Sequence, residues 1–423
     1  MAIKKIKISN FKSFKDLEIE LGKFNVLIGA NASGKSNFIQ IFRFLRDVTN
    51  HGLDNAISMQ GGVEYLRNIN VGSSENFSIE VVSDKEFRRA LRTNKKEFIG
   101  MKTYETIYKF VLKFKKRGRG FEIVEDKLTL KGDLLQLKKE KNGKNVKLKE
   151  KEKIGEGWIV YYVTKGKINF DSKKLEELGV EKEDIIPSFL REERLGPKTL
   201  LVSYPLHILH SGLFYFFSDG FAIYDFDPKL PKKATPITGK AELEEDGSNL
   251  AIVLKNILET KDKERKLSNL VKDLLPFVDN LDIEKFADKS ILFKLREIYA
   301  KKQYLPASLI SDGSINITAL IIALYFDKKL LTIIEEPERN IHPYLISKVI
   351  GMMKDASQKK QIIVTTHNPE IVKHAGLENI MLILRDNAGF SVISKPHEKE
   401  TVKTFMQNEL GIEELYVQNL LVL

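Results

Sequence analysis

The chain has no cysteine among its 423 residues and a single tryptophan. Without thiols there is no disulfide, no thiolate metal site and no cysteine nucleophile, so any chemistry runs on oxygen, nitrogen and a hard metal ion. Long apolar runs are missing too. The longest, residues 317–326, is about half of the roughly 18–20 residues that span a bilayer, and Asp327, Lys328 and Lys329 follow it. The opening MAIKKIKISN is positively charged but has no apolar stretch behind it, unlike a secretory leader. A cytoplasmic protein with no membrane partner is expected.

What is present is length and charge. A chain of this size, 42% apolar, can build a large core and at least one further lobe. The net charge of +11 is unevenly placed: residues 81–170 hold 25 Lys or Arg against 12 Asp or Glu, leaving the remainder nearly neutral.

Periodicity orders the chain. Apolar residues alternate at Ile3, Ile6, Ile8 and Phe11 and again at Leu17, Ile19 and Leu21, which predicts two half-buried strands. Phe24 to Ile28 is a short apolar run ending at glycine, followed by Phe38, Ile41, Phe42 and Leu45 at helical spacing: strand, glycine-rich loop, helix. Short alternating stretches broken by glycines over residues 81–170 predict a β-rich insertion with hairpin turns. It has no heptad pattern, so a coiled-coil arm is not expected. Residues 171–195 and 241–300 read mainly as helices, and the last third returns to buried strands alternating with helices, the α/β pattern. The expected divisions are residues 1–80 and 306–423 as two parts of one α/β head, 81–240 as the insertion and 241–305 as a helical lobe.

Four elements carry chemistry. Gly29, Gly34, Lys35 and Ser36 satisfy G-x-x-x-x-G-K-[ST] between a buried strand and a helix start. In such a loop backbone N–H groups curl around phosphate oxygens, Lys35 neutralises the β and γ phosphates of ATP, and the Ser36 hydroxyl ligates Mg2+. Residues 330–338, LLTIIEEPE, form an apolar strand ending in adjacent carboxylates. Glu335 and Glu336 point to opposite faces, so Glu335 suits holding hydrated Mg2+ and Glu336 suits polarising the attacking water. Another buried strand ends in Thr365-Thr366-His367, where His367 suits contact with the γ-phosphate; a histidine merely bonded at a strand end is the alternative for that residue alone. In the segment ISDGS, Ser311 and Ser314 are candidate helix N-caps and Gly313 permits close approach, giving either a second phosphate-binding helix end or a plain capped helix.

These elements, in this order, resemble the head of ABC-type ATPases. More closely, NFKSFKDLEIELGKFNVLIGANASGKSN, DGSNL at residues 246–250, ISDGS, IIEEPERNIHP and VTTHNPEIV resemble RecF/SMC-like AAA ATPases related to the ATPase half of OLD-family nucleases. The resemblance implies an ABC-ATPase-like P-loop head with a mixed sheet, with Asn31, Gly34, Lys35, Ser36, Asn37, Lys12 and Ser13 around ATP, and Ser36 and Glu335 on Mg2+. It implies that Glu336 is the base, that His367 senses the γ-phosphate, and that Ser311, Asp312 and Gly313 act in trans on a second copy's ATP, making a homodimer. Asn340 and His342 match the D-loop. Gln60 is either the Q-loop metal ligand or a turn glutamine. Two departures stand out: Ile-Ser-Asp-Gly replaces the usual Leu-Ser-Gly-Gly, and Glu335 replaces the usual aspartate.

For purpose, the resemblance and the basic insertion, above all residues 113–119 and 138–153, lead to the expectation of a nucleic-acid-associated or anti-phage defence ATPase that acts on DNA or RNA or on a separate effector. A transporter-type subunit would have a short helical insertion and an LSGGQ-like signature. A self-contained OLD-type nuclease would need a further acidic domain, for which the 56 residues after His367 are expected to leave no room. A structural ATP-dependent switch that binds no nucleic acid is the remaining alternative.

Overall fold

Alternation at the N-terminus does produce paired strands. In the computed structural model, which describes residues 3–115, 120–142, 145–204, 213–286, 289–300, 302–407 and 411–422, Lys5–Phe11 and Phe14–Glu20 run antiparallel, with Ile6 opposite Ile19 and Ile8 opposite Leu17. Side chains on one face of each strand are thereby buried together. The chain divides into two units, each assembled from three segments: Met1–Leu21, Ser36–Gly220 and Arg385–Val392 form one, and Gly22–Lys35, Phe221–Leu384 and Ile393–Leu423 the other.

The first unit is built on an eight-stranded sheet. Its order is Phe14–Glu20, Lys5–Phe11, Phe77–Ser83, Phe98–Phe114, Phe121–Asn142, Asn145–Thr164 and Lys167–Asp171, with Phe87–Arg92 also pairing with Phe98–Phe114. The strands of the basic insertion therefore continue the sheet begun by the N-terminal hairpin. Three of them are 17, 22 and 20 residues long, several times the usual strand length of about 5–6. Of the two basic runs singled out above, residues 116–119 and 143–144 lie outside the described residues. Within this unit the rings of Phe44, from helix Lys35–His51, and Phe11, Phe77 and Phe110, from three strands, lie 5.7–6.2 Å apart. Such tilted and edge-on pairs add about 0.5–1.5 kcal/mol each beyond the area they bury.

The second unit carries five parallel strands in the order Phe221–Tyr224, Leu331–Glu335, Gln361–Thr366, Phe24–Ile28 and Ile380–Arg385. Their near-continuous apolar runs are those of strands covered on both faces. Val26, Leu27, Ile28, Leu331, Ile333, Ile334, Ile362, Ile363 and Val364 have no exposed surface, and fully burying each such side chain contributes about 1.5–3 kcal/mol. Helix Asp312–Tyr325 is buried from Ser314 through Leu324, all round its circumference, as an interior helix must be.

One element differs from expectation. Residues 241–300 hold helices Leu250–Leu258 and Lys261–Leu274, but then an antiparallel hairpin of Val278–Phe286 and Ser290–Glu297, extended by Thr235–Pro236 and Leu305–Pro306 into a four-stranded sheet. Ile291, Phe293 and Leu295 are buried while their neighbours are only half-buried. That is a period of two, which packing converts into a strand despite the charged residues between. Among the described residues, no helix is long and apolar enough to cross a membrane.

Candidate functional site

In open parallel sheets ligands bind beyond the carboxyl ends of the strands. Three adjacent strands of the second unit end there in the residues singled out from sequence: Ile28 leads into the glycine loop, Leu331–Glu335 into Glu336, and Gln361–Thr366 into His367. The loop needs glycine at position 29. A Cβ there would stand 2.4 Å from the Ile383 carbonyl oxygen and 2.7 Å from Ser33 Oγ. Ala32 and Gly34 take left-handed backbone angles, φ 62° and 118°, which curl the chain tightly. Asn31 is exposed on this loop. Lys35 lies at the helix start, its Nζ donating to the carbonyls of Gly29, 2.7 Å, and Ala30, 3.0 Å. Partial burial pulls the Lys35 ammonium down, while the nearby carboxylates of Glu336 and Glu338 oppose that shift.

Glu336 leaves the strand with φ 44°, a left-handed geometry costing a non-glycine residue about 1–2 kcal/mol and concentrated at functional sites. Its amide still donates to the Thr365 carbonyl at 2.9 Å. Its carboxylate is held from two sides: Oε1 lies 2.8 Å from His367 Nδ1 and Oε2 lies 3.3 Å from Arg339 Nη2. The carboxylate and imidazole proposed from sequence as base and sensor are thus directly bonded. Glu335 ends the strand, half-buried, opposite Thr365.

The signature segment meets the turn after Glu336. Ser311 caps helix Asp312–Tyr325 by accepting from the Ser314 amide at 3.2 Å, an arrangement worth about 1 kcal/mol. Asp312 is paired with Lys232 at 2.5 Å. At Gly313 a Cβ would fall 2.5 Å from the carbonyl oxygen of Asn340, so only glycine lets the two backbones approach. Asn340 has φ 61°, and Asn316 Nδ2 donates to the Arg339 carbonyl at 2.7 Å. Helix Asp312–Tyr325 and the turn bearing Arg339 and Asn340 form one packed block. His342 caps helix Pro343–Ala356, its Nδ1 accepting from the Tyr344 amide at 3.3 Å.

Family models match both parts of the chain. A family model described as "AAA ATPase domain" matches residues 1–193, and one described as "AAA domain, putative AbiEii toxin, Type IV TA system" matches residues 174–373. Each model covers just under half of the chain, and both describe an AAA domain. Solved structures similar to the head include three SMC heads. One is bound to the C-winged helix domain of ScpA (15% identity, 93% of this chain and 97% of that one, TM-score 0.48). Another, with an extended coiled coil, is bound to the C-terminal domain of ScpA derived from Pyrococcus furiosus (16%, 97% and 100%, 0.49). The third comes from Thermotoga maritima (13%, 93% and 99%, 0.41). No curated protein matches the chain.

In the first unit of the head, Ser36 is exposed in the first turn of helix Lys35–His51. Asn37 Nδ2 donates to Ser13 Oγ at 2.8 Å. Lys12, with φ 46°, is half-buried, which lowers its pKa, and its Nζ lies 5.9 Å from the Phe11 ring centre. Gln60 ends helix Leu53–Met59 and its Nε2 donates to Gln40 Oε1 at 3.3 Å. In the second unit, DGSNL works as a staple: Asn249 Nδ2 donates to the carbonyls of Lys240 and Glu242 and its Oδ1 accepts from the Glu244 amide.

Two residues, Glu338 and Arg339, make contacts to which the sequence assigns no role. Glu338 is 8% exposed; its Oε1 accepts from Thr366 Oγ1 at 2.5 Å and its Oε2 has no hydrogen-bond partner among the described residues. Burial raises its pKa, opposed by the Thr366 hydrogen bond. Thr366 Oγ1 also accepts from the Asn368 amide, tying Glu338 to the turn that bears His367. Arg339 reaches from Glu336 to Asp225 Oδ1, 2.9 Å from its Nη1. The -EPER- run was the available signal, in which the sequence assigns roles to Glu336 but not to Glu338 or Arg339.

Hydroxyl and carboxylate oxygens are the donor type that magnesium takes. Ser36 and Glu335 offer the hard oxygens that Mg2+ takes alongside water and phosphate oxygens, and the described residues hold no cluster of three or more His, Asp or Glu that would enclose a metal by itself.

Proposed function

We propose that the head binds ATP with Mg2+, hydrolyses it, and dimerises around it. The observation that carries the reading is the Glu336–His367 contact of 2.8 Å at the ends of neighbouring parallel strands, with Lys35 in the field of the same carboxylates. Lys35 would meet the β and γ phosphates, Ser36 and Glu335 would hold Mg2+, and Mg2+ would supply charge neutralisation on the phosphates. Glu336 accepts the proton of the attacking water, and His367, oriented by Glu336, donates toward the γ-phosphate. Ser311, Asp312 and Gly313 of one copy complete the site of the other. Light scattering of Glu336→Gln tests this: a dimer with ATP and a monomer without it are expected, and a monomer at saturating ATP would sink the sandwich.

A role on nucleic acid, in DNA maintenance or anti-phage defence or by way of a separate effector, has one observation in its favour. In the first unit, Lys95, Lys96, Lys138 and Lys139 line a groove with Phe98. Lys139 stacks 4.8 Å from that ring, and Lys95, Lys96 and Lys138 have no ion-pair partner among the described residues. Unneutralised lysines attract phosphate backbones, with affinity falling linearly in log salt. Anisotropy of a labelled oligonucleotide checks it: the reading fails if no binding is seen at low salt with or without ATP.

A further inference from the structure

Glu336 has both carboxylate oxygens engaged. Oε1 contacts His367, and Oε2 takes the Arg339 guanidinium at 3.3 Å. The same guanidinium contacts Asp225 at 2.9 Å through its other terminal nitrogen. Asp225 follows strand Phe221–Tyr224, beside the strand that delivers Glu336. One cation is therefore shared between a carboxylate that must accept a proton and a carboxylate that need not. Arginine suits this, because its rigid planar fork spans two acceptors and stays charged at any relevant pH. The shorter contact is to Asp225.

We infer that Arg339 is a positioning residue that restrains the base, and that Asp225 sets how strongly it does so. This rests on the proposed role of Glu336 as base. A guanidinium on Oε2 occupies an acceptor site that the attacking water needs. Asp225 draws that charge away. The turn bearing Arg339 is itself tied to the signature helix through the bond from Asn316 to the Arg339 carbonyl. Movement of that helix would thus move the restraint, linking events at the signature segment to the base within one copy.

The two partners of Arg339 should respond with opposite signs. In the full-length chain with Mg2+ and ATP, Arg339→Ala raises kcat for ATP hydrolysis about two- to five-fold, the scale of a part-exposed ion pair, with KM for ATP unchanged. Asp225→Asn leaves Glu336 as the only carboxylate on the guanidinium and lowers kcat by a similar factor. The double variant matches Arg339→Ala, because Asp225 acts only through Arg339. A merely structural role gives two losses that add, and that result overturns the inference. The isosteric Asp225→Asn change carries the test alone if Arg339→Ala does not accumulate; a parental or raised rate then overturns it. Glu336→Gln separates the two failures. If it loses hydrolysis while the paired signs are absent, only the restraint falls, and if it hydrolyses at the parental rate, the base assignment falls and the restraint with it.

Discussion

Each unit buries a carboxylate, and the two are handled differently. In the antiparallel unit Asp126 has both oxygens satisfied: Oδ1 accepts from Tyr108 Oη at 2.9 Å and Oδ2 from the Leu201 amide at 2.7 Å. Burial pushes its pKa up to about 7, opposed by those hydrogen bonds. In the parallel unit Glu338 is bonded through one oxygen only. A buried carboxylate with each oxygen bonded to a fixed donor works as a clasp, here between a long strand and the 3-10 turn Leu201–Ser203. The one with an open oxygen lies two residues from Glu336 and is bonded through Thr366 to the turn of His367. The units differ as wholes in the same sense: one gathers polar groups at strand ends, while the other spreads ion pairs such as Lys109–Glu125 and Lys131–Glu105 along its strands.

That contrast is open to attack by substitution. The largest effect is expected from Glu336→Gln: kcat for ATP falls about 10²- to 10⁴-fold, the range for loss of a general base, while nucleotide binding measured by calorimetry persists. Lys35→Ala comes next, weakening ATP binding by about 2–3 kcal/mol, the worth of a hydrogen bond to a charged group, with the fold retained by circular dichroism. In the other unit the consequence moves from chemistry to stability. Tyr108→Phe leaves Asp126 short of a donor and costs about 1–3 kcal/mol, read as a lower urea midpoint in the fluorescence of the lone Trp158, which lies in strand Asn145–Thr164.

The Asp126 clasp also predicts a pH dependence. Its folded pKa lies above the ordinary carboxylate value of 3.8, so the native state holds a proton that the unfolded chain has released. Its contribution to stability is complete below about pH 4 and is lost as pH rises through about 7. Asp126→Asn should flatten that part of the urea-midpoint profile; an unchanged slope would show that Asp126 titrates normally. The smallest effect is expected from Lys109→Ala, under about 0.5 kcal/mol, because exposed ion pairs contribute little.

Legibility in the sequence followed how local each constraint is. The loop from Gly29 to Ser36 puts its whole mechanism into eight consecutive residues, and strand-end motifs such as Glu335-Glu336 and Thr366-His367 announce themselves by the apolar run before them. The hairpin from Val278 to Glu297 was missed because the buried Val278 and Leu281 are three apart, prolonging the helical spacing before them, and only Ser290–Glu297 buries every second residue. Arg339 could not have been assigned at all. Its function depends on Asp225, 114 positions earlier, and only the parallel pairing of Phe221–Tyr224 with Leu331–Glu335 makes them neighbours.

The same topology sets a timetable. Strand Phe24–Ile28, which delivers the phosphate loop, lies between Gln361–Thr366 and Ile380–Arg385, and Asn25 bonds to the carbonyl of Ile362, 337 residues further along. At ribosomal speeds of ~5–20 residues per second, that strand waits about 20–70 s after synthesis before either neighbour exists. For that interval a strand apolar at four of its five positions is a hazard that the nascent chain or a chaperone must cover, and slowing translation downstream of residue 28 should lengthen it and lower the soluble yield.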